Sequence, residues 1–184
     1  MPYTIETIAE RISARRVGDT PATIDWLLTD SRSLSFPEET LFFALTTKRN
    51  DGARYIPDLY SRGVRNFVVS KEAYKWVESG QLAMSNSDML AVNFLVVANP
   101  LKALQKLAEQ HREQFQIPVI GITGSNGKTI VKEWLHQLLS PERAIVRSPR
   151  SYNSQIGVPL SVWQMNEQSE LAIFEAGISE MGEM

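Results

Sequence analysis

The chain has 184 residues, 43% hydrophobic and 22% charged, with a formal net charge of −2. That is an ordinary globular composition, long enough for one large or two small domains, and it offers no basic excess for a nucleic-acid surface. It contains no cysteine, which excludes disulfides, thiol chemistry and thiolate zinc sites.

No apolar signal run opens the chain and no stretch approaches membrane-spanning length, so a cytosolic protein is expected. Thr4 to Ala14 places Ile5, Ile8, Ala9 and Ile12 on one helical face, with Thr4 as N-cap. Ala22 to Leu28 alternates Ile24, Trp26 and Leu28 and reads as one half-buried strand running into a polar cluster, Thr29 to Ser33. A turn at Phe36-Pro37-Glu38-Glu39 precedes an apolar strand, Thr40 to Leu45. There, alternation requires one of Phe42 and Phe43 to be core. A polar loop from Thr46 to Gly52 follows, then a helix from Tyr55 to Tyr60 and a strand from Asn66 to Val69. Next come a helix from Lys71 to Val77, an unassigned polar stretch from Ser79 to Asp88, and a buried strand from Val92 to Val97. Asn99-Pro100 opens a helix to about Phe115, and Ile117-Pro118 ends it. His111 and His136 fall on helices and read as solvated or half-buried rather than metal-bound.

The most informative stretch is Val119 to Thr129. An apolar run suited to a buried parallel strand passes into a loop with Gly121, Gly124 and Gly127, and then into an amphipathic helix from about Lys128 to Leu139. Strand, glycine loop, Lys-Thr and helix is the layout of a P-loop. Glycines let backbone N–H groups converge on phosphate oxygens, and the helix start adds its free N–H groups and positive dipole end. Gly124, Ser125, Asn126, Gly127, Lys128 and Thr129 would form the cradle. Lys128 would reach the β and γ phosphates, and the Thr129 hydroxyl would hold Mg²⁺. The general pattern puts glycine where this chain has Ile122, so a glycine-rich turn without a ligand is the alternative.

A short strand from Ala144 to Arg147, a loop from Ser148 to Gln155 and a helix from Ile156 to about Met165 come next. A third apolar strand, Glu170 to Glu175, follows. Glu175 closes that strand at its carboxyl edge, where ligands bind in open α/β sheets. A buried carboxylate there calls for a cation, and Mg²⁺ shared with Thr129 supplies one. The alternation of elements indicates α/β layers: a small domain over 1–99, a connecting helix over 100–116, and the start of a P-loop parallel-sheet domain over 117–184. Three strands after Gln116 are fewer than the roughly five such a sheet ordinarily needs, so the front part of a longer enzyme is expected.

The loop Gly121-Ile122-Thr123-Gly124-Ser125-Asn126-Gly127-Lys128-Thr129 resembles the ATP loop of the Mur ligases, shared with folylpolyglutamate synthetases, and that spacing accounts for Ile122. Thr29-Asp30-Ser31-Arg32, with Thr40 to Leu45 and Asp51-Gly52, resembles the first domain of the Mur ligases that bind UDP-sugar peptides. Tyr152 to Pro159 resembles the second-domain substrate loop of the branch that adds D-alanyl-D-alanine. Glu175-Ala176-Gly177, followed by Met181-Gly182-Glu183, resembles the strand end that supplies a magnesium-ligating glutamate. That branch usually has two asparagines where this chain has Asn153-Ser154, and Asn-His-Pro-Gly-Glu in place of Ser179 to Glu183. In some lineages an alanine racemase follows it in the same chain.

The resemblance implies an ATP- and Mg²⁺-dependent ligase of peptidoglycan precursor synthesis. It would join D-alanyl-D-alanine to UDP-N-acetylmuramoyl-tripeptide through an acyl phosphate, with Lys128 and Glu175 catalytic and Thr129 and Glu175 on the metal. Ser31 and Arg32 would meet the uridine diphosphate, and Asn153 and Ser154 the substrate. The first domain would bind the UDP-sugar peptide, and domains further along the chain would complete the enzyme. Two readings stay open beside it: another P-loop phosphotransferase, and a non-catalytic nucleotide- or UDP-sugar-binding module.

Overall fold

The structure, a computed structural model, describes residues 2–47, 51–82 and 91–177. Most of the unassigned stretch Ser79 to Asp88, and the whole of Ser179 to Glu183, lie outside the described residues. The chain divides into two compact units, Met1–Leu104 and Gln105–Met184. Among the described residues, no helix is long and apolar enough to cross a membrane.

The first unit opens with β1 (Tyr3–Thr4) and α1 (Ile5–Arg11); Thr4 caps the helix by accepting from the Thr7 N–H at 3.2 Å. Five strands build its main sheet: β2 (Arg15–Val17), β4 (Trp26–Leu28), β5 (Thr40–Phe43), β6 (Asn66–Ser70) and β7 (Asn93–Val97). Their spatial order is β2-β7-β6-β5-β4. β4 to β7 run parallel, and β2 is an antiparallel edge. β2 reads Arg-Arg-Val and carries no apolar signal. Arg16 joins the sheet through the Asn93 side-chain oxygen, at 3.0 and 3.2 Å.

The single strand expected over Ala22 to Leu28 is two. β3 (Thr23–Ile24) pairs with β1 in a separate two-stranded ribbon, whereas β4 pairs with β5. The break falls at Asp25, whose N–H donates to the Glu39 carbonyl at 3.0 Å. Trp26 is 47% exposed and stacks on Phe36, while Ile24 and Leu28 are buried. Phe42 and Phe43 are both buried, because β5 is flanked by β4 and β6 and covered on both faces. Phe42, Phe67, Phe94 and Tyr74 form a continuous aromatic core, with ring centroids 5.7–6.3 Å apart. α2 (Ile56–Ser61) and α3 (Lys71–Glu78) connect β5 to β6 and β6 to β7; Ser70 caps α3 at the Ala73 N–H.

Within α3's successor, α4 (Pro100–Arg112), the first unit gives way to the second. Asn99 accepts from the Lys102 N–H at 3.1 Å, the cap expected of Asn-Pro. The second unit has a three-stranded, wholly parallel sheet in the order β8-β10-β9: β8 (Val119–Ile122), β9 (Ile145–Arg147) and β10 (Leu171–Glu175). α5 (Lys128–Leu139) follows β8, and α6 (Gly157–Val162) precedes β10. β10 is buried throughout, as a central strand should be.

β8 departs from the buried strand expected. It pairs on one side only among the described residues, and Val119 is 38% exposed. Alternation along β10 sends Ala172 and Phe174 into a core with Phe115, Met165 and Val162, and sends Glu175 to the other face, toward α5. His111 is fully buried, contrary to the solvated reading. Its Nε2 lies 3.0 Å from the Met165 carbonyl and its ring 4.7 Å from that of Trp163. His136 is half-buried.

Candidate nucleotide and metal site

The turn from β8 into α5 is built on two left-handed glycines, Gly124 (φ 131°) and Gly127 (φ 78°). Side chains rarely adopt that conformation, and an added Cβ at either position would meet nothing within 4 Å. Backbone geometry, not crowding, therefore demands glycine here, and the concave side of the loop is open. The N–H groups at the start of α5 lack helical partners by geometry. Lys128 folds back across the loop, its ammonium donating to the Gly124 carbonyl at 2.6 Å. Gly124, Ser125, Asn126 and Gly127 are exposed to solvent.

Beside this loop Thr129, in the first turn of α5, donates its hydroxyl to Glu175 Oε2 at 3.2 Å. Ser151 Oγ lies 3.2 Å from the same hydroxyl. Asn153 reaches Glu175 Oε2 from the far side, its amide donating at 3.5 Å. The loop carrying Ser151 and Asn153 is pinned to the strand end by the Gly177 N–H, which donates to the Asn153 carbonyl at 2.7 Å. A Cβ on Gly177 would sit 2.8 Å from that oxygen. Ser154 turns away from this cluster: its hydroxyl accepts from the Gly157 N–H at 3.1 Å, at the start of α6.

Glu175 is wholly buried, and its Oε1 faces the ammonium of Lys132, also wholly buried, at 2.8 Å. Lys132 went unnoticed in the sequence. A faint signal exists: Lys128, Thr129, Lys132 and His136 recur at intervals of three and four, a polar stripe that begins at the glycine loop. On this helix it is the polar stripe that turns inward, while Ile130, Trp134 and Leu138 are 57%, 64% and 74% exposed. Ser151 also escaped notice, since a loop serine has no periodicity to betray it.

The donors assembled here are hydroxyl and carboxylate oxygens from Thr129, Ser151 and Glu175. Among the described residues no three His, Cys, Asp or Glu side chains converge. One carboxylate plus hydroxyls suits Mg²⁺, which keeps several waters and takes its remaining ligands from substrate phosphates.

In the first unit, Ser31 and Arg32 lie in a tight 3-10 turn, Ser31–Ser33, at the carboxyl end of β4. The Arg32 guanidinium grips Asp30, donating from Nε at 2.9 Å and from its terminal nitrogen at 2.6 Å. This hydrogen-bonded pair, 87% and 45% exposed at its side chains, holds the Asp30 carboxyl below its usual range and raises Arg32. At the carboxyl ends of β5, β6 and β7 a cavity of about 380 Å³ is lined by Thr46, Asp51, Ser70, Trp76 and Asn99, among others.

Residues 122–184, from the end of β8 onward, match the Mur ligase middle domain. The chain belongs to the Mur ligase family. The relatives it matches there are MurF ligases. A UDP-N-acetylmuramoyl-tripeptide–D-alanyl-D-alanine ligase of Borreliella burgdorferi is 37% identical over 146 residues, 79% of this chain and 30% of the relative. Its counterpart in Bacillus subtilis is 31% identical over 183 residues, 98% of this chain and 37% of the relative. The crystal structure of MurF from Acinetobacter baumannii superposes with a TM-score of 0.80 at 25% identity, covering 99% of this chain and 37% of that one. MurF from Thermotoga maritima, solved in complex with ADP, gives 0.66 at 27% identity, over 85% and 33%. The chain thus spans 30% and 37% of the length of these two curated relatives.

Proposed function

We propose that this chain supplies the nucleotide-sugar-binding and ATP-loop portions of a cytoplasmic ligase that joins D-alanyl-D-alanine to UDP-N-acetylmuramoyl-tripeptide. The observation that carries the reading is the Thr129 hydroxyl on Glu175 Oε2 at 3.2 Å, beside a loop held open by two left-handed glycines. The names of the MurF relatives supply the substrates, and the ADP bound by the Thermotoga protein supplies the nucleotide.

On this reading the glycine loop and the start of α5 bind the β and γ phosphates of ATP through backbone N–H groups. Lys128, already spanning the loop, exchanges the Gly124 carbonyl for phosphate oxygens and neutralises charge as the γ-phosphoryl group moves to the tripeptide carboxylate. The acyl phosphate so formed is attacked by the amine of D-alanyl-D-alanine, and phosphate leaves. Thr129 and Glu175 would hold Mg²⁺, which when bound spreads negative charge over the phosphate oxygens. Asn153 fixes the carboxylate of Glu175 and orients substrate. Ser154 contributes by stiffening the turn into α6. Residues 1–99 bind the UDP-sugar peptide, with Ser31 and Arg32 at the carboxyl edge of the sheet meeting the diphosphate, and 100–116 connect the two.

The test is phosphate release by the full-length protein. Release should require ATP, the UDP-muramoyl tripeptide and D-alanyl-D-alanine together. Turnover of ATP that ignores the amine acceptor would point to another phosphotransferase instead. Binding of both nucleotides without any turnover would point to a binding module.

A further inference from the structure

Lys132 has three N–H donors, and three acceptors surround them. These are Glu175 Oε1 at 2.8 Å, the Ser148 carbonyl at 2.8 Å and the Arg150 carbonyl; Glu133 Oε1 stands further out at 3.3 Å. The side chain is 0% exposed, and so is that of Glu175. Ser148 completes the clamp: its hydroxyl accepts the Glu175 N–H at 3.0 Å, while its own N–H donates to Ile173. Arg150 sits in the left-handed region at φ 50°, and Lys132 holds its carbonyl there. The loop that follows then delivers Ser151 to Thr129. One ammonium therefore ties α5, the end of β10 and the Ser148–Ser151 loop together.

Its effect on Glu175 is asymmetric. Oε1 is committed to Lys132, whereas Oε2 meets only neutral donors, the Thr129 hydroxyl and the Asn153 amide. A carboxylate already matched by a buried ammonium contributes little net charge to a cation site. Mg²⁺ sheds water reluctantly and needs anionic ligands, so one neutralised carboxylate and a hydroxyl are a poor site until phosphates add their charge.

We propose that Lys132 is a positioning residue that holds Glu175 by one oxygen and cancels its charge, so that Oε2 alone faces Thr129 and a divalent cation binds there only together with a nucleotide's phosphates. This rests on the ATP-loop reading of Lys128 and Thr129 and adds an order of binding to it.

The experiment is a Mn²⁺ titration of the full-length protein, followed by electron paramagnetic resonance of the free ion, with and without ADP. Wild type should take up Mn²⁺ at this site with ADP and not without it. Lys132→Met keeps the length and removes the charge, and should bind Mn²⁺ without nucleotide about tenfold or more tightly than wild type. The gain should vanish in Lys132→Met combined with Glu175→Gln, which separates this site from any other Mn²⁺ site. A folded Lys132→Met with nucleotide-free Mn²⁺ binding like wild type overturns the proposal. So does wild type that binds Mn²⁺ alone and loses it in Glu175→Gln, a result available even if Lys132→Met does not fold. Failure of ADP to bind under any condition would instead remove the ATP-loop reading itself. Intact ADP binding with unchanged Mn²⁺ behaviour removes only the role of Lys132.

Discussion

Replacing Lys132 by methionine preserves shape and deletes an ammonium that is wholly buried against Glu175. It also orphans the carbonyls of Ser148 and Arg150. Breaking a buried ion pair from one side costs about 3–5 kcal/mol, and the orphaned carbonyls, buried at Ser148 and half-buried at Arg150, add up to about 1 kcal/mol each before relaxation. Allowing for water entering the loop, a local loss of about 4 kcal/mol is expected, roughly a thousandfold in the opening equilibrium. Glu175→Gln should cost less, because the ammonium retains two carbonyls and gains an amide oxygen. Combining the two changes removes both charges, so the double variant should fall short of the summed losses by about 2 kcal/mol. A global melt would mix the two units of the chain. The appropriate probe is native-state hydrogen exchange at Glu175 and Ala176, whose N–H groups donate to Ser148 Oγ and to the Ile122 carbonyl. Exchange in Lys132→Met within about twofold of wild type at both amides, or strict additivity in the cycle, would show that the Lys132 ammonium does not hold this strand end.

Lys128→Ala removes an ammonium bonded only to the loop carbonyl of Gly124, so thermal stability should change by less than about 0.5 kcal/mol while amide formation is lost and UDP-sugar binding survives. Parallel loss of ATP and UDP-sugar affinity, read by calorimetry, would count against that division of labour. Gly127→Ala incurs a left-handed backbone penalty of about 1–2 kcal/mol with no clash. Gly157→Ala drives a Cβ to 2.8 Å from the Tyr152 carbonyl carbon and should cost more, about 2–3 kcal/mol, seen as faster exchange in α6. Asp30 should titrate below the ordinary carboxylate value of about 3.9, first because the Arg32 side chain hydrogen-bonds to it. Since the folded value is the depressed one, the pair's stabilisation is present above the ordinary range and fades as pH falls through the folded value. Arg32→Ala should return Asp30 toward the ordinary value in a carbon-detected NMR titration, and an unchanged titration would dissociate the two.

The parts legible in the sequence are those where one local rule acts alone. The glycine loop followed by Lys-Thr and an amphipathic period places a helix at about Lys128 to Leu139, and the structure has it at Lys128–Leu139. Thr4, Ser70 and Asn99 cap helices in the structure, and two of them, Thr4 and Asn99, were foreseeable from residue type. Failures occur where tertiary pairing overrides the local pattern. Ile24, Trp26 and Leu28 alternate without flaw, yet Asp25 spends its N–H on Glu39 and sends the two halves to different sheets. Arg15 to Val17 has no strand signature and is recruited by an edge. His111 looked like a surface helix residue, but a backbone carbonyl and two aromatic rings make a buried place for it.

The site shows the same division more sharply. Thr129 and Glu175 stand out in the sequence because each occupies a position that the topology favours, a helix first turn and a strand carboxyl end, and the structure brings the two side chains to 3.2 Å. Lys132 was hidden because reading α5 as an ordinary amphipathic helix turns its apolar stripe inward, and that places Lys132 in solvent. In this chain, which spans 37% of its Bacillus subtilis relative, Trp134 and Leu138 are exposed, and a lysine stands in the interior. The buried lysine needs a reason, because a buried ammonium is costly unless it is paired and hydrogen-bonded. Here two donors go to the Ser148 and Arg150 carbonyls and the charge is met by Glu175 Oε1 at 2.8 Å, and all three acceptors belong to the segments that carry Glu175 and Ser151. Spaced one turn apart, Lys128 answers the loop at the open end of α5 and Lys132 answers the carboxylate beneath it. Rotating the helix would withdraw both charges together, so the two lysines fix the orientation of α5 against β10 and the Ser148–Ser151 loop.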